Sequence, residues 1–169
     1  MVDLDDTDLR LLDLLQGDAG LSNQDLAAAA HVSPATALRR VRRLTESGVI
    51  ERRIALLSTD KLGTGLQALV EVQLDRQGAE HLDAFEVLAV ADAAVQQCWR
   101  VSPGPDFVLV LWLADMPAYH ALVQRLFTQH ANVRNVKTFF AVKCAKFAPR
   151  IDLRAAAQSV KPASGLPGP

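Results

Sequence analysis

Hydrophobic positions at the start of the chain recur at helical spacing. Leu9, Leu12 and Leu15, with Leu11 beside them, form a stripe inside Leu4–Leu15, and Gly17-Asp18-Ala19-Gly20 breaks it. Ser22 is placed to cap a second short helix, with Asp25 three residues on as an imperfect capping box and Leu26 to Ala30 following. A tight turn comes next at His31-Val32. Glycine is the usual residue there, and His tolerates positive φ better than most. Ser33 then caps a third helix with Pro34 at its first position, where a missing N–H costs nothing. Leu38, Val41 and Leu44 are its expected inner stripe, and Gly48 ends it. Val49–Ser58 reads as extended, and Leu57–Gly65, with Gly63 and Gly65, as a domain boundary.

Beyond the boundary the period changes to two. Leu66, Ala68, Val70, Val72 and Leu74 share one face of a strand. Gly78–Val90 is an amphipathic helix carrying Leu82, Phe85 and Leu88. Strands follow at Val95–Val101 and Phe107–Leu113, separated by the Pro/Gly loop Ser102–Asp106. Asp115 caps a helix with Pro117 in its first turn, and Tyr119, Leu122, Val123, Leu126 and Phe127 fall at i, i+3, i+4, i+7 and i+8. Val133–Ala145 is the last strand. The chain is thus α+β, and its second part has the β-α-β-β-α-β order of a ferredoxin-like domain. The expected division is 1–57, a linker at 58–65, 66–150, and a tail at 151–169 whose Lys-Pro-Ala-Ser-Gly-Leu-Pro-Gly-Pro end has the composition of disorder.

Composition narrows the class. A chain of 169 residues, half hydrophobic and 22% charged, is one or two globular domains rather than a fibre. Its longest unbroken apolar run, Phe107–Ala114, is too short to cross a membrane. The acidic Met1–Asp6 start lacks the order of a signal peptide. Cys98 and Cys144 form no CxxC, so a reducing cytoplasm is expected. The net charge of −1 conceals an asymmetry: seven Asp and one basic residue between Asp3 and Asp25, six Arg and two Glu between Arg39 and Arg53. Such a cluster makes a local positive field on a near-neutral protein.

Two short helices joined by a four-residue turn, the second opening with Ser33-Pro34 and bearing four Arg, predict a helix-turn-helix that reads double-stranded DNA. Ala35 and Thr36 are small enough for close approach, and a Thr methyl suits a thymine methyl. Arg39 is the candidate for a bidentate guanine contact, and Arg40, Arg42 and Arg43 the candidates for phosphates. The bland alternative is a solvated basic face. The Ser-Pro start, the inner stripe and the short turn together favour DNA.

Leu4-Asp5-x-x-Asp8-x-x-Leu11-Leu12, Leu21-Ser22-Asn23-x-x-Leu26-Ala27, Val32-Ser33-Pro34-x-x-x-x-Arg39-x-Val41-x-Arg43-Leu44 and Gly48-Val49-Ile50 follow in one order that resembles the Lrp/AsnC (leucine-responsive, feast/famine) regulators. The resemblance extends from Leu4 to Pro149. It implies a winged helix-turn-helix head and a ferredoxin-like, RAM-type domain that senses an amino acid or related metabolite. It also implies homodimers that assemble to octamers, with effector bound between dimers. Gly20 and His31 depart from the pattern, standing for an Arg and the turn Gly. The family's sensing loop, Thr/Ser-Gly-x-x-Asp-Tyr/Phe, matches here at Ser102, Asp106 and Phe107, with Pro103 in the glycine place. Ser102, Pro103, Gly104, Pro105 and Asp106 are therefore the effector candidates, with Thr138 on the last strand as a further one. Pro103 and Pro105 remove two N–H donors. Asp106 could pair with a ligand ammonium or simply bond its own turn. The family's Thr-rich segment before the final Pro has no counterpart in Ala145–Pro149.

Phe107–Leu113 has no polar alternation, which predicts burial of both its faces. Helices cover one face of the sheet, and the same sheet of a second copy would cover the other. A dimer puts two reading helices on one duplex, ~34 Å or a multiple apart. No enzyme or cofactor is expected. His31, His81, His120 and His130 lack metal-ligand spacing, and no phosphate loop or GxSxG elbow occurs. Sirohaem decarboxylases resemble the same architecture, but carry a His-Tyr-Asn-type segment where this chain has Ser102–Asp106. An architectural DNA-binding protein with little effector response is the remaining alternative.

Overall fold

The computed structural model describes residues 2–63 and 65–153. The disorder expected after Ala155 lies outside the described residues. The chain divides into two compact units: the part up to Leu56 together with the segment from Phe147, and Leu57–Lys146.

The first unit is built on helices α1 (Asp6–Gly17), α2 (Asn23–Ala29) and α3 (Pro34–Glu46). Each starts at a side-chain cap. Asp5 accepts from the Thr7 and Asp8 N–H groups, and Asp8 accepts from the Asp5 N–H, a reciprocal capping box. Ser22 Oγ accepts from the Asp25 N–H (3.1 Å) and donates to the Asp25 carboxylate (2.6 Å). Ser33 Oγ accepts from the Thr36 N–H (3.2 Å), and Pro34 opens α3 as expected. His31 takes the left-handed conformation at φ 58°, and Gly48 follows α3 at φ 76°.

The core of this unit is Leu11, Leu26, Ala27, Ala30, Ala37 and Val41, with Leu12 and Leu44 also buried. One expectation fails here. Ala37, not Leu38, begins the inner stripe of α3, and Leu38 is 61% exposed. Ala27, Ala30 and Ala37 meet with almost no side chain between the helices, leaving no room for a leucine at that position. Val49–Ser58, expected to be extended, carries no strand among the described residues.

The second unit opens with a single helical turn, α4 (Thr59–Leu62), inside the expected linker. It continues as β1 (Leu66–Leu74), α5 (Ala79–Ala91), β2 (Val95–Arg100), β3 (Phe107–Leu113), α6 (Met116–Leu122, prolonged by a π-helical turn over Val123–Thr128) and β4 (Val133–Phe140). The sheet is antiparallel in the order β2-β3-β1-β4. Asp115 caps α6 through the Ala118 N–H (2.8 Å).

Ala68, Val70, Val72 and Leu74 of β1 and the odd positions of β3 point into one core with Phe85, Ala89, Leu122, Leu126 and Phe127. Within it the Phe85 and Phe107 rings tilt at 4.9 Å. Leu88, expected inside, is about half exposed, because α5 approaches the sheet through Phe85 and Ala89, one full turn apart. β4 ends at Phe140 rather than Ala145. Its partner β1 begins at Leu66, and the Ala141 N–H donates to the Gln67 carbonyl, so a single residue of β1 is left beyond that bond.

Candidate DNA interface and effector loop

The helix-turn-helix places α2 and α3 either side of Ala30–Ser33. Asn23 Nδ2 donates to the Pro34 carbonyl (2.9 Å), fastening the start of α2 to the start of α3. With Ala37, Val41 and Leu44 inside, the outward face of α3 is Ala35, Leu38, Arg39 and Arg42. Ser33 and Pro34 are exposed at its N-terminus, and Thr36 is half-buried with its hydroxyl against Ser33 Oγ (2.9 Å).

The four arginines, taken together from the sequence, separate into different roles. Arg39 is exposed and makes no ion pair among the described residues. Arg42 is exposed and reaches Glu46, one turn on, at 2.7 Å. Arg40 turns back instead. Its guanidinium bonds Asp5 (2.6 Å) and Asp8 (3.0 Å), and its side chain is 20% exposed. Arg43 also pairs with Asp8. Arg40, expected at phosphate, is thus tied by Asp5 and Asp8 to the start of α1, and Arg43 divides its guanidinium between Asp8 and solvent.

Sequence reasoning left Asp8 and Asp5 out of the site. Asp8 is 1% exposed, the buried charge among the described residues of this unit, and it accepts from Arg40, Arg43 and the Asp5 N–H. The bond from Arg40, helped by the Asp8 N–H, lowers the Asp5 carboxyl to a pKa of about 2. The visible signal was the acidic first helix facing a basic third one, with Asp5/Asp8 and Arg40/Arg43 each three residues apart.

In the second unit Ser102, Pro103 and Gly104 form an exposed loop tip between β2 and β3, and Gly104 sits at φ 127°, where only glycine is comfortable. Pro105 and Asp106 are half-buried. Asp106 Oδ2 accepts from the Leu74 N–H (2.7 Å), and the Asp106 N–H donates to the Val72 carbonyl (2.9 Å). The carboxylate thus closes the end of β1, a neighbouring strand, rather than its own turn. Thr138 Oγ1 accepts from the Tyr119 hydroxyl (2.8 Å) on the helix side of the sheet. It pairs with Val70, whereas Asp106 meets Leu74 four positions along β1, ~13 Å at the usual strand rise. One chain does not bring the loop and Thr138 together.

The description "Winged helix-turn-helix DNA-binding" matches residues 4–51, and "Lrp/AsnC ligand binding domain" matches residues 67–151. The chain belongs to the Lrp/AsnC family of transcriptional regulators. Among its relatives, this Lrp/AsnC regulator is 34% identical to the Bkd operon transcriptional regulator of Pseudomonas aeruginosa, over 85% of this chain and 94% of that one. It is 33% identical to the leucine-responsive regulatory protein of Rhizobium meliloti, over 90% and 97%. A solved transcriptional regulator from Neisseria meningitidis, in complex with L-methionine, superposes with a TM-score of 0.83 at 27% identity, covering 91% of this chain and 99% of that one. These relatives are named as regulators, not enzymes, and the head is a DNA-binding domain. Among the described residues no helix is long and apolar enough to cross a membrane.

Proposed function

We propose that this regulator binds its operator through the outward face of α3 and adjusts that binding to an amino acid or related small metabolite, working in the cytoplasm as a homodimer that assembles further, up to an octamer. The carrying observation is Arg39, without an ion pair among the described residues, beside Arg42 on α3, in a chain that also holds an Lrp/AsnC ligand-binding domain. Arg39 reads a base edge, and Arg42, loosely held by an exposed neighbour, meets phosphate. The L-methionine bound by the Neisseria relative supports an amino acid as the effector class.

Two surfaces support assembly. The sheet face away from the helices carries Leu69, Trp99, Val108, Val110 and Phe139, and it would be covered by the same face of a second copy. Helix α5 turns Ala84, Val87, Leu88 and Ala91 outward at helical spacing, an apolar stripe suited to contact between dimers.

The test of the effector is thermal unfolding of the full chain against each of the twenty amino acids at millimolar concentration. A ligand present at ~100 times its Kd adds about 2.7 kcal/mol of stability. One observation favours the alternative of an architectural protein with little effector response: Asp106 already holds Leu74, in a loop without the N–H donors of Pro103 and Pro105. A flat panel, with DNA binding intact, would select that alternative. For the interface, Arg39→Ala is expected to cost ~1–3 kcal/mol on the preferred site alone. Arg42→Ala should weaken all duplexes alike and make the salt slope shallower by about one.

A further inference from the structure

Leu38 stands in the second turn of α3, outside the core that Ala37, Val41 and Leu44 fill, and 61% of it is exposed. Among the described residues it takes no part in the core of its own head. It lies on the same side of the helix as Ala35, one residue-step from Arg39 and one turn before Arg42. An apolar side chain at the edge of a face that also bears two outward cations suits an anionic partner that also offers an apolar group. The major groove has one such group, the 5-methyl of thymine. Helices of this class insert their N-terminal part between the phosphate rails, which puts the second turn at base-edge depth.

We propose that Leu38 is a specificity residue that reads a thymine methyl, with Arg39 on the adjacent base and Arg42 on the flanking phosphate. This rests on the reading of α3 as the DNA-facing helix. Leucine is long enough to reach past the small Ala35 and has no polar atom to lose on entering the groove. The selected base is thymine because its methyl is the apolar surface of the major groove against which an exposed leucine gains by leaving water.

The experiment uses the full-length protein and the duplex it enriches from a random pool. Each thymine of that duplex is replaced in turn by deoxyuridine, which removes the methyl and nothing else, and affinity is read by fluorescence anisotropy for wild type, Leu38→Ala and Leu38→Met. The wild type is expected to lose roughly fourfold at one thymine per half-site, the worth of one buried methyl-sized group. Leu38→Ala should bind the thymine and deoxyuridine duplexes equally, and Leu38→Met should retain the difference. If the loss persists undiminished in Leu38→Ala, or if that variant weakens every duplex by one factor, the proposal is overturned. Loss of oligomeric state by Leu38→Ala in sedimentation would also overturn it, by making Leu38 a protein contact. A wild type that enriches no duplex would fail at the earlier step, the assignment of α3 to DNA, and take the proposal with it.

Discussion

Asp8 is where single residues decide most. Its carboxylate is buried at the junction of α1 and α3 and is neutralised by Arg40 and Arg43. Removing Asp8 leaves Arg40 paired with Asp5, and Arg43 half in solvent, so the loss is that of the charged hydrogen bonds themselves, typically ~1.5–3 kcal/mol. Asp8→Ala should therefore lower the unfolding free energy of the head by about that amount in urea titration, and a loss within about 1 kcal/mol would mean that water replaces the carboxylate freely. Asp5 makes a different prediction, because it is largely exposed and its charge is titratable. Its folded pKa of about 2 lies below the ordinary 3.8, so its contribution is present above the unfolded value and disappears as pH falls through the folded one. Asp5→Asn keeps an N-cap acceptor but removes the charge. Between pH ~4 and ~2 the variant should lose stability less steeply than wild type; parallel curves would mean that the Arg40 bond is absent in solution. The capping residues Ser22 and Ser33 and the positive φ of His31 were legible because each is a local requirement of the backbone. The Asp8 cluster was not, since pairing residues more than thirty positions apart depends on packing.

At the level of elements, strand β1 follows its sequence pattern from end to end, because a period of two over nine residues admits no second assignment. Strand β3 has the expected bounds but, being apolar throughout, did not show which of its faces turns to the helices. Helices are less determinate. On α3 the stripes through Leu38 and through Ala37 both run on through Val41 and Leu44, and the choice rests on how closely α2 approaches, which no single helix encodes. The same holds on α5, where Ala89 rather than Leu88 turns inward. The candidate DNA face was consequently legible as a charged helix but not as a ranked set of side chains, since the partners of Arg40 and Arg43 lie on another element. Gly65, just before β1, gives a test of element packing. A Cβ there would lie 2.2 Å from Cζ2 of Trp112 on β3, a rigid ring that cannot give way at its tip. Gly65→Ala should destabilise the second unit by ~1–3 kcal/mol and change tryptophan emission as the indole shifts. An unchanged spectrum and midpoint would show that Trp112 does not rest on this glycine.

For the whole molecule, the question is what covers the outer sheet face. In β3 the odd positions are buried against the helices, while Val108, Val110 and Trp112 are only half-buried by neighbours within the sheet. Leu69, directly opposite Val110 on one side and Phe139 on the other, lies at the centre of that face and is 44% exposed. Trp99 extends the patch to one edge and Phe139 to the other, each exposed by more than two fifths. Contiguous apolar surface of this kind on a sheet is characteristic of an interface, and a flat face is self-complementary under a two-fold axis. A charge at its centre would be buried twice in such a dimer, once from each copy, while in a monomer it would stand in water. Leu69→Asp should therefore leave the fold and the thermal transition of the isolated chain intact yet shift sedimentation from dimer or larger to monomer. Operator affinity should fall with it, because one duplex would no longer meet two linked heads. A dimer that persists at micromolar concentration with Asp at position 69 would move the interface off this face, and the apolar stripe of α5 would then be the surface to mutate.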